Sequence, residues 1–267
     1  MACPCDMPKK PMSPHRHQPA IKSSPGATFK LVQFAASGRE AGICGLVWLD
    51  RGRIRLASPT LRWDLGRPDA QVFLRLFPGS MEHFGAFGSS MTWLGLVAPA
   101  AADLDSLQRT CAQHPEQRLR CVDCDDADER LLDLFESFVS CGLAAVMPGF
   151  LIRIGLTMTL ESIVRGQLPA SAARLRPTPH EDEDVALLEL GADRQAVVTL
   201  NPQDVDALAI GLAAHDRMHL RNDSWSRCLL VMPRLELREP LVITSRVTAA
   251  DLSREVLAAA ITNLAQP

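Results

Sequence analysis

Residues Val185–Leu220 read VALLELGADRQAVVTLNPQDVDALAIGLAAHDRMHL, and their local signals agree with one another. Val185, Leu187 and Glu189 alternate with Ala186, Leu188 and Leu190, so both faces are largely apolar and a buried strand is expected. Gly191-Ala192-Asp193-Arg194 supplies turn chemistry, and Ala196–Leu200 returns as a second strand. Asn201 is then a good helix N-cap, Pro202 stands where a missing N–H costs nothing, and Asp204 falls in the first turn. Val205, Leu208, Leu212, His215 and His219 follow at spacings of three and four, which places them on one helical face. Hairpin, capped turn and helix together predict an α+β fold with mixed or antiparallel sheets and packed helices.

The chain of 267 residues is long enough for one large core or two ordinary ones. Nearly half of it is apolar, which marks a globular protein. A net charge of −3 leaves no basic footprint, so nucleic acid is not an expected partner. The N-terminus lacks the apolar run of a signal peptide. Ser137–Leu160 is the least polar long window, but Pro148-Gly149 splits it, and no membrane span is expected. The sequence therefore reads as soluble and cytoplasmic, with its eight cysteines reduced and Cys44, Cys141 and Cys228 as small core residues.

Outward from the opening stretch, residues 1–27 read as a flexible tail rich in Pro, Lys, Ser and His. Phe29–Phe34, Ile43–Leu49 and Arg53–Leu56 read as strands, the last two joined by a turn at Asp50-Arg51-Gly52. Leu61–Asp69 is a connection. Val72–Phe77 and Met91–Val97 read as paired strands enclosing a hairpin loop at residues 78–90. Pro99 opens a helix through Leu104, Leu107 and Cys111, and Leu119–Val122 is a short strand. Asp126 with Glu129 forms a capping-box pattern before a helix whose inner face carries Leu131, Leu134, Phe135 and Phe138. The alternation Ile152, Ile154, Leu156, Met158, Leu160 predicts a strand over 151–160, followed by a polar link over 169–184. Cys228–Met232 and Leu241–Val247 read as strands, and Thr248 with Asp251 caps a terminal helix.

Two related α+β halves, 28–148 and 149–267, are one expectation of this order. VFLRLF, a loop and MTWLGLVAPAAADLDSL parallel VALLEL, a loop and AVVTLNPQDVDAL, an order that fits an internal duplication but that strand–turn–helix grammar also produces by chance.

Four groups of residues bear on chemistry. His215-Asp216-Arg217-Met218-His219 sets two imidazoles one helical turn apart, where they can share zinc or another divalent metal. These five residues resemble the HExxH motif of zinc proteases with Asp216 in the Glu position. The resemblance implies a metal-dependent hydrolase, although the shorter acid reaches less far toward a metal-bound water. The competing reading packs His219 under the hairpin and uses His215 to cap the helix end. Cys121-Val122-Asp123-Cys124 has redox CxxC spacing, but Asp123, Asp125, Asp126 and Asp128 disfavour a thiolate there. Cys3, Cys5, His15 and His17 are potential ligands within the tail, and the acidic runs at 123–128 and 180–184 read as caps and linkers. Finally, Met81, Glu82, His83, Phe84 and Phe87 lie in the 78–90 loop, where they can meet another protein.

No Walker, dinucleotide or nucleophile-elbow pattern occurs. The expectation is a non-catalytic protein-binding or assembly subunit, acting with a protein partner or as a homo-oligomer and offering the 78–90 loop and a sheet edge. The alternative is the hydrolase built on His215 and His219.

Overall fold

The computed structural model describes residues 29–36, 42–59, 61–62, 67–68, 77, 81–125, 128–144, 147–167, 173–177, 185–190, 194–200, 213, 215–216, 226–232 and 237–266. The expected tail at 1–27, the strand at 72–76, most of the helix after Leu200, and His219 lie outside these residues. The fold is α+β, with two main sheets and five α-helices among the described residues.

The first sheet has the order β3-β2-β1-β6 and is antiparallel throughout, from β1 (Phe29–Phe34), β2 (Gly42–Asp50), β3 (Arg53–Ala57) and β6 (Leu119–Asp123). Arg51 and Gly52 both have positive φ, 49° and 76°, as a two-residue hairpin turn of this hand requires. A two-residue antiparallel pair, β4 (Leu61–Arg62) with β5 (Arg67–Pro68), stands apart from it. Both faces of this sheet are covered. Val32, Phe34 and Cys44 join α1 (Phe84–Val97), α2 (Leu104–Gln113) and β6 in one core cluster. Leu31 and Leu46 turn to the other side and join α3 (Glu129–Ser140) and α4 (Gly149–Gln167).

The second sheet is mixed, with the order β11-β12-β10-β9-β8-β7. Its strands are β7 (Ala173–Pro177), β8 (Val185–Leu190), β9 (Arg194–Thr199), β10 (Ser226–Val231), β11 (Leu241–Thr244) and β12 (Val247–Ala250). The β8–β9 hairpin is present as the opening stretch predicts, while β10 runs parallel to both β9 and β12. Ala186, Leu188, Val198, Leu229 and Val231 face the same core cluster that holds α3, α4, the terminal α5 (Arg254–Ala265) and Leu31 of the first sheet. One continuous core therefore draws on residues from both 28–148 and 149–267.

Several expectations are corrected. Residues 151–160 are not a strand but the middle of α4. Its alternation is accidental, because Leu151, Ile152, Ile154, Leu156, Leu160, Ile163 and Val164 are all buried. A helix enclosed on nearly every side shows no distinct period. Met91–Val97 is likewise helical, and so is the expected loop from Met81 onward: a 3₁₀ turn at Met81–His83 leads into α1. The proposed correspondence between MTWLGLV and the β9 strand thus matches a helix to a strand, and the duplication loses that support. Pro99 lies in a separate 3₁₀ turn, and α2 begins only after Asp103, which accepts from Ser106 N in a capping box. The cap of α3 is Asp128, not Asp126.

The link expected over 169–184 contains β7, which pairs along β8. Leu241–Val247 is not one strand, since Ser245-Arg246 turns the chain between β11 and β12. The terminal helix starts after Ser253, whose backbone N–H donates to Asp251; Thr248 belongs to β12.

Candidate functional site

The segment expected to meet a partner is built differently from a loop. Phe87 is fully buried, with its ring centroid 5.0 Å from that of Phe34 in an edge-on contact. Phe84 packs against the same core. His83 lies 3.3 Å from Glu82 Oε1 through Nε2, and its Nδ1 is 3.4 Å from Arg118 Nη1. Only Met81 and Glu82 of the five face solvent, because an apolar i, i+3 spacing over Phe84 and Phe87 serves the core once the segment is helical.

His215 is helical and buried, and its Nδ1 lies 3.7 Å from Oδ1 of the exposed Asp216. Among the described residues no three His, Cys, Asp or Glu side chains are grouped to hold a metal ion. His219, the second imidazole of the candidate pair, lies outside the described residues.

The CxxC residues are not brought together. Cys121 is buried on the α1–α2 side of β6, whereas Cys124 packs toward the α3–α4 side. Burial, then the Asp128 carboxylate, pushes the Cys124 thiol up to about 12, as an acidic setting should. Cys121 instead meets Cys111 of α2, with the two sulfurs 3.8 Å apart. Cys44 is engaged separately: its Sγ donates to Val32 O at 3.4 Å, and burial raises its thiol far above the ordinary value. Burial also pushes Cys228 up to about 12.

Beside the thiol pair, Lys30 is 4% exposed, yet its Nζ reaches Asp105 Oδ1 at 3.0 Å, Asp123 Oδ1 at 2.5 Å and Gln108 Oε1 at 2.7 Å. The stem is buried under α2 while the ammonium ends between two exposed carboxylates. Burial alone would lower its affinity for the proton, but Asp123 and Asp105 together outweigh that and hold it above the ordinary lysine value. This clamp ties β1 to both α2 and β6.

Among the described residues, the consecutive run of exposed large apolar side chains lies on β11. It is the outer strand of the six-stranded sheet, and all four of its residues are exposed. Leu241, Val242 and Ile243 are 51%, 61% and 46% accessible. Pairing with β12 is interrupted between Val242 and Thr244, so Ile243 sits at a bulge. Sequence reasoning missed this surface because a Leu-Val-Ile run is the ordinary mark of an inner strand. The signal that places it outside, the Ser245-Arg246 turn that ends the strand early, is weak by itself.

No helix among the described residues is long and apolar enough to cross a membrane. Comparison with protein-family models, with curated proteins and with solved structures finds no match to this chain.

Proposed function

We propose that this chain is a non-catalytic protein-binding or assembly subunit, and that β11 is the surface it offers. The observation that carries this reading is the run Leu241-Val242-Ile243, three branched apolar side chains left in water on the outer strand of a sheet. A strand in that position turns one row of backbone N–H and C=O groups away from its own sheet, and an extended segment from a partner can pair with them. Complete burial of each such side chain contributes roughly 1.5–3 kcal/mol, so the three together supply a useful part of a transient interface. The partner is a polypeptide with an extended apolar segment, either another protein or a second copy of this chain.

The bulge and the short strand are also devices by which sheets discourage unwanted edge pairing. A Val242→Lys, Ile243→Lys variant separates the two roles. Its charges point into water in the free protein, so its fold and thermal midpoint are expected to stay close to those of the parent. If β11 docks a partner, the variant loses that partner in affinity purification, or loses self-association in sedimentation velocity. A variant that keeps every partner and the parent's assembly state removes β11 from consideration.

A further inference from the structure

We propose that Cys111 and Cys121 form an oxidation site, a dithiol that a small hydroperoxide converts to a disulfide joining α2 to β6. The pair is a product of the fold. Leu104, Leu107 and Cys111 share the buried face of α2, and Leu119 and Cys121 share the inner face of β6. The two elements run side by side, and the sulfurs meet at 3.8 Å with both residues at most 3% exposed. A disulfide needs about 2.05 Å between sulfurs, a closure of somewhat under 2 Å that side-chain rotation can contribute to.

The neighbourhood favours this pairing over others. Cys124 faces the opposite side of the sheet, and Cys44 is held by Val32 O and lies 3.9 Å from Met91 Sδ. The Lys30 clamp already fastens the same seam, since it draws Asp105 of α2 and Asp123 of β6 together. Register places Lys30 opposite Asp123 and Val32 opposite Cys121, so clamp and thiols occupy successive positions along one face. The Cys111 thiolate is favoured by the Cys121 S–H beside it, and Cys121 keeps its proton until later.

The reaction balances with the hydroperoxide as sole oxidant. The Cys111 thiol first gives up its proton; the thiolate then attacks the terminal hydroxyl oxygen of the hydroperoxide, giving a sulfenic acid and an alkoxide that takes up a proton and leaves as the alcohol, or as water when the oxidant is hydrogen peroxide. Cys121 then attacks that sulfur, the S–S bond forms, and hydroxide leaves as water with the Cys121 proton. Each sulfur loses one electron and the peroxide bond takes up two. Because both thiols are buried, the step waits on local opening near the exposed 114–116 turn, and it is slow compared with oxidation of a surface thiol.

The full chain supplies its own assay. Trypsin cuts after Arg109, Arg118, Arg120 and Arg130, which places Cys111 in Thr110–Arg118 and Cys121 with Cys124 in Cys121–Arg130. Native protein is treated with hydrogen peroxide, denatured in N-ethylmaleimide, digested without reduction and analysed by mass spectrometry. The expected product is the two peptides joined, two hydrogens lighter than their sum, with the maleimide on Cys124 and the link at Cys121. Dithiothreitol abolishes it, and the oxidised protein melts a few degrees above the reduced one. The same treatment of urea-unfolded protein is expected to scatter the links among several cysteines. A Cys121–Cys124 link in the native protein, or full alkylation of Cys111 and Cys121 after other thiols have oxidised, overturns the proposal. Neither reading depends on a variant that must fold.

Discussion

Phe135 of α3 lies against Gly155 of α4 so closely that a Cβ at position 155 would fall within the space of its ring. The two helices share the main core, and the contact exists only because one partner lacks a side chain. Gly155→Ala is therefore expected to force Phe135 out of place and to destabilise the protein by about 1–3 kcal/mol, the usual range for an overpacked core. Urea unfolding of the variant measures this. Unchanged stability would mean that the two helices do not meet there.

The Lys30 clamp predicts an alkaline limit to stability. Its folded proton affinity is raised, so its contribution is complete below the unfolded value near 10.4 and disappears as pH climbs through the higher folded value. The chain has no tyrosine, but the buried thiols of Cys44, Cys124 and Cys228 also hold their protons more tightly in the fold and add to the same alkaline fall, so the comparison with a Lys30 variant isolates the clamp. Thermal midpoints measured from pH 9 to 12 should fall for the parent. Lys30→Met should flatten that fall relative to the parent, and parallel curves would assign the alkaline loss to other groups.

Asp128 predicts the acid side. Its side chain accepts from Arg130 N at the start of α3 and also pairs with the Arg130 guanidinium. That partner holds the carboxyl below its ordinary value, so the stabilisation is present above about pH 3.9 and vanishes as pH falls through the lower folded value. Asp128→Ala should cost about 1 kcal/mol at neutral pH. The difference between parent and variant should shrink toward pH 2, and a gap that persists there would point to lost packing.

The histidine pair separates the two functional readings. If His215 and His219 pack and cap, the double His→Ala variant unfolds more easily while metal content, measured by elemental analysis of the purified protein, stays the same. Stoichiometric zinc, iron or manganese that is lost in the variant would support the hydrolase.

How much of this was legible in the sequence follows from where the periodicity is sharp. The β2–β3 hairpin could be read because Arg51-Gly52 sits between an apolar run and the alternating RIRL run. The inner faces of α2 and α3 could be read because polar residues flank their apolar positions. α1 and α4 could not, since both are apolar nearly all round, and a run such as 152–160 satisfies strand and helix patterns equally. Of the candidate residues, the acidic setting of Cys124 was legible from Asp125 and Asp128 alone. The partner of Cys121 was not, because the nearest cysteine in the chain faces the other side of the sheet.

By itself the sequence determined the α+β class, the β8–β9 hairpin and the amphipathic helices, all of them set by contacts between near neighbours in the chain. Tertiary structure alone decided that 84–97 and 149–167 are helices, that Cys111 meets Cys121, and that Leu241–Ile243 ends at an open edge. The physical reason is the same in each case. An apolar side chain is equally content in any dry surroundings, so which surroundings it finds, or fails to find, depends on the elements packed around it.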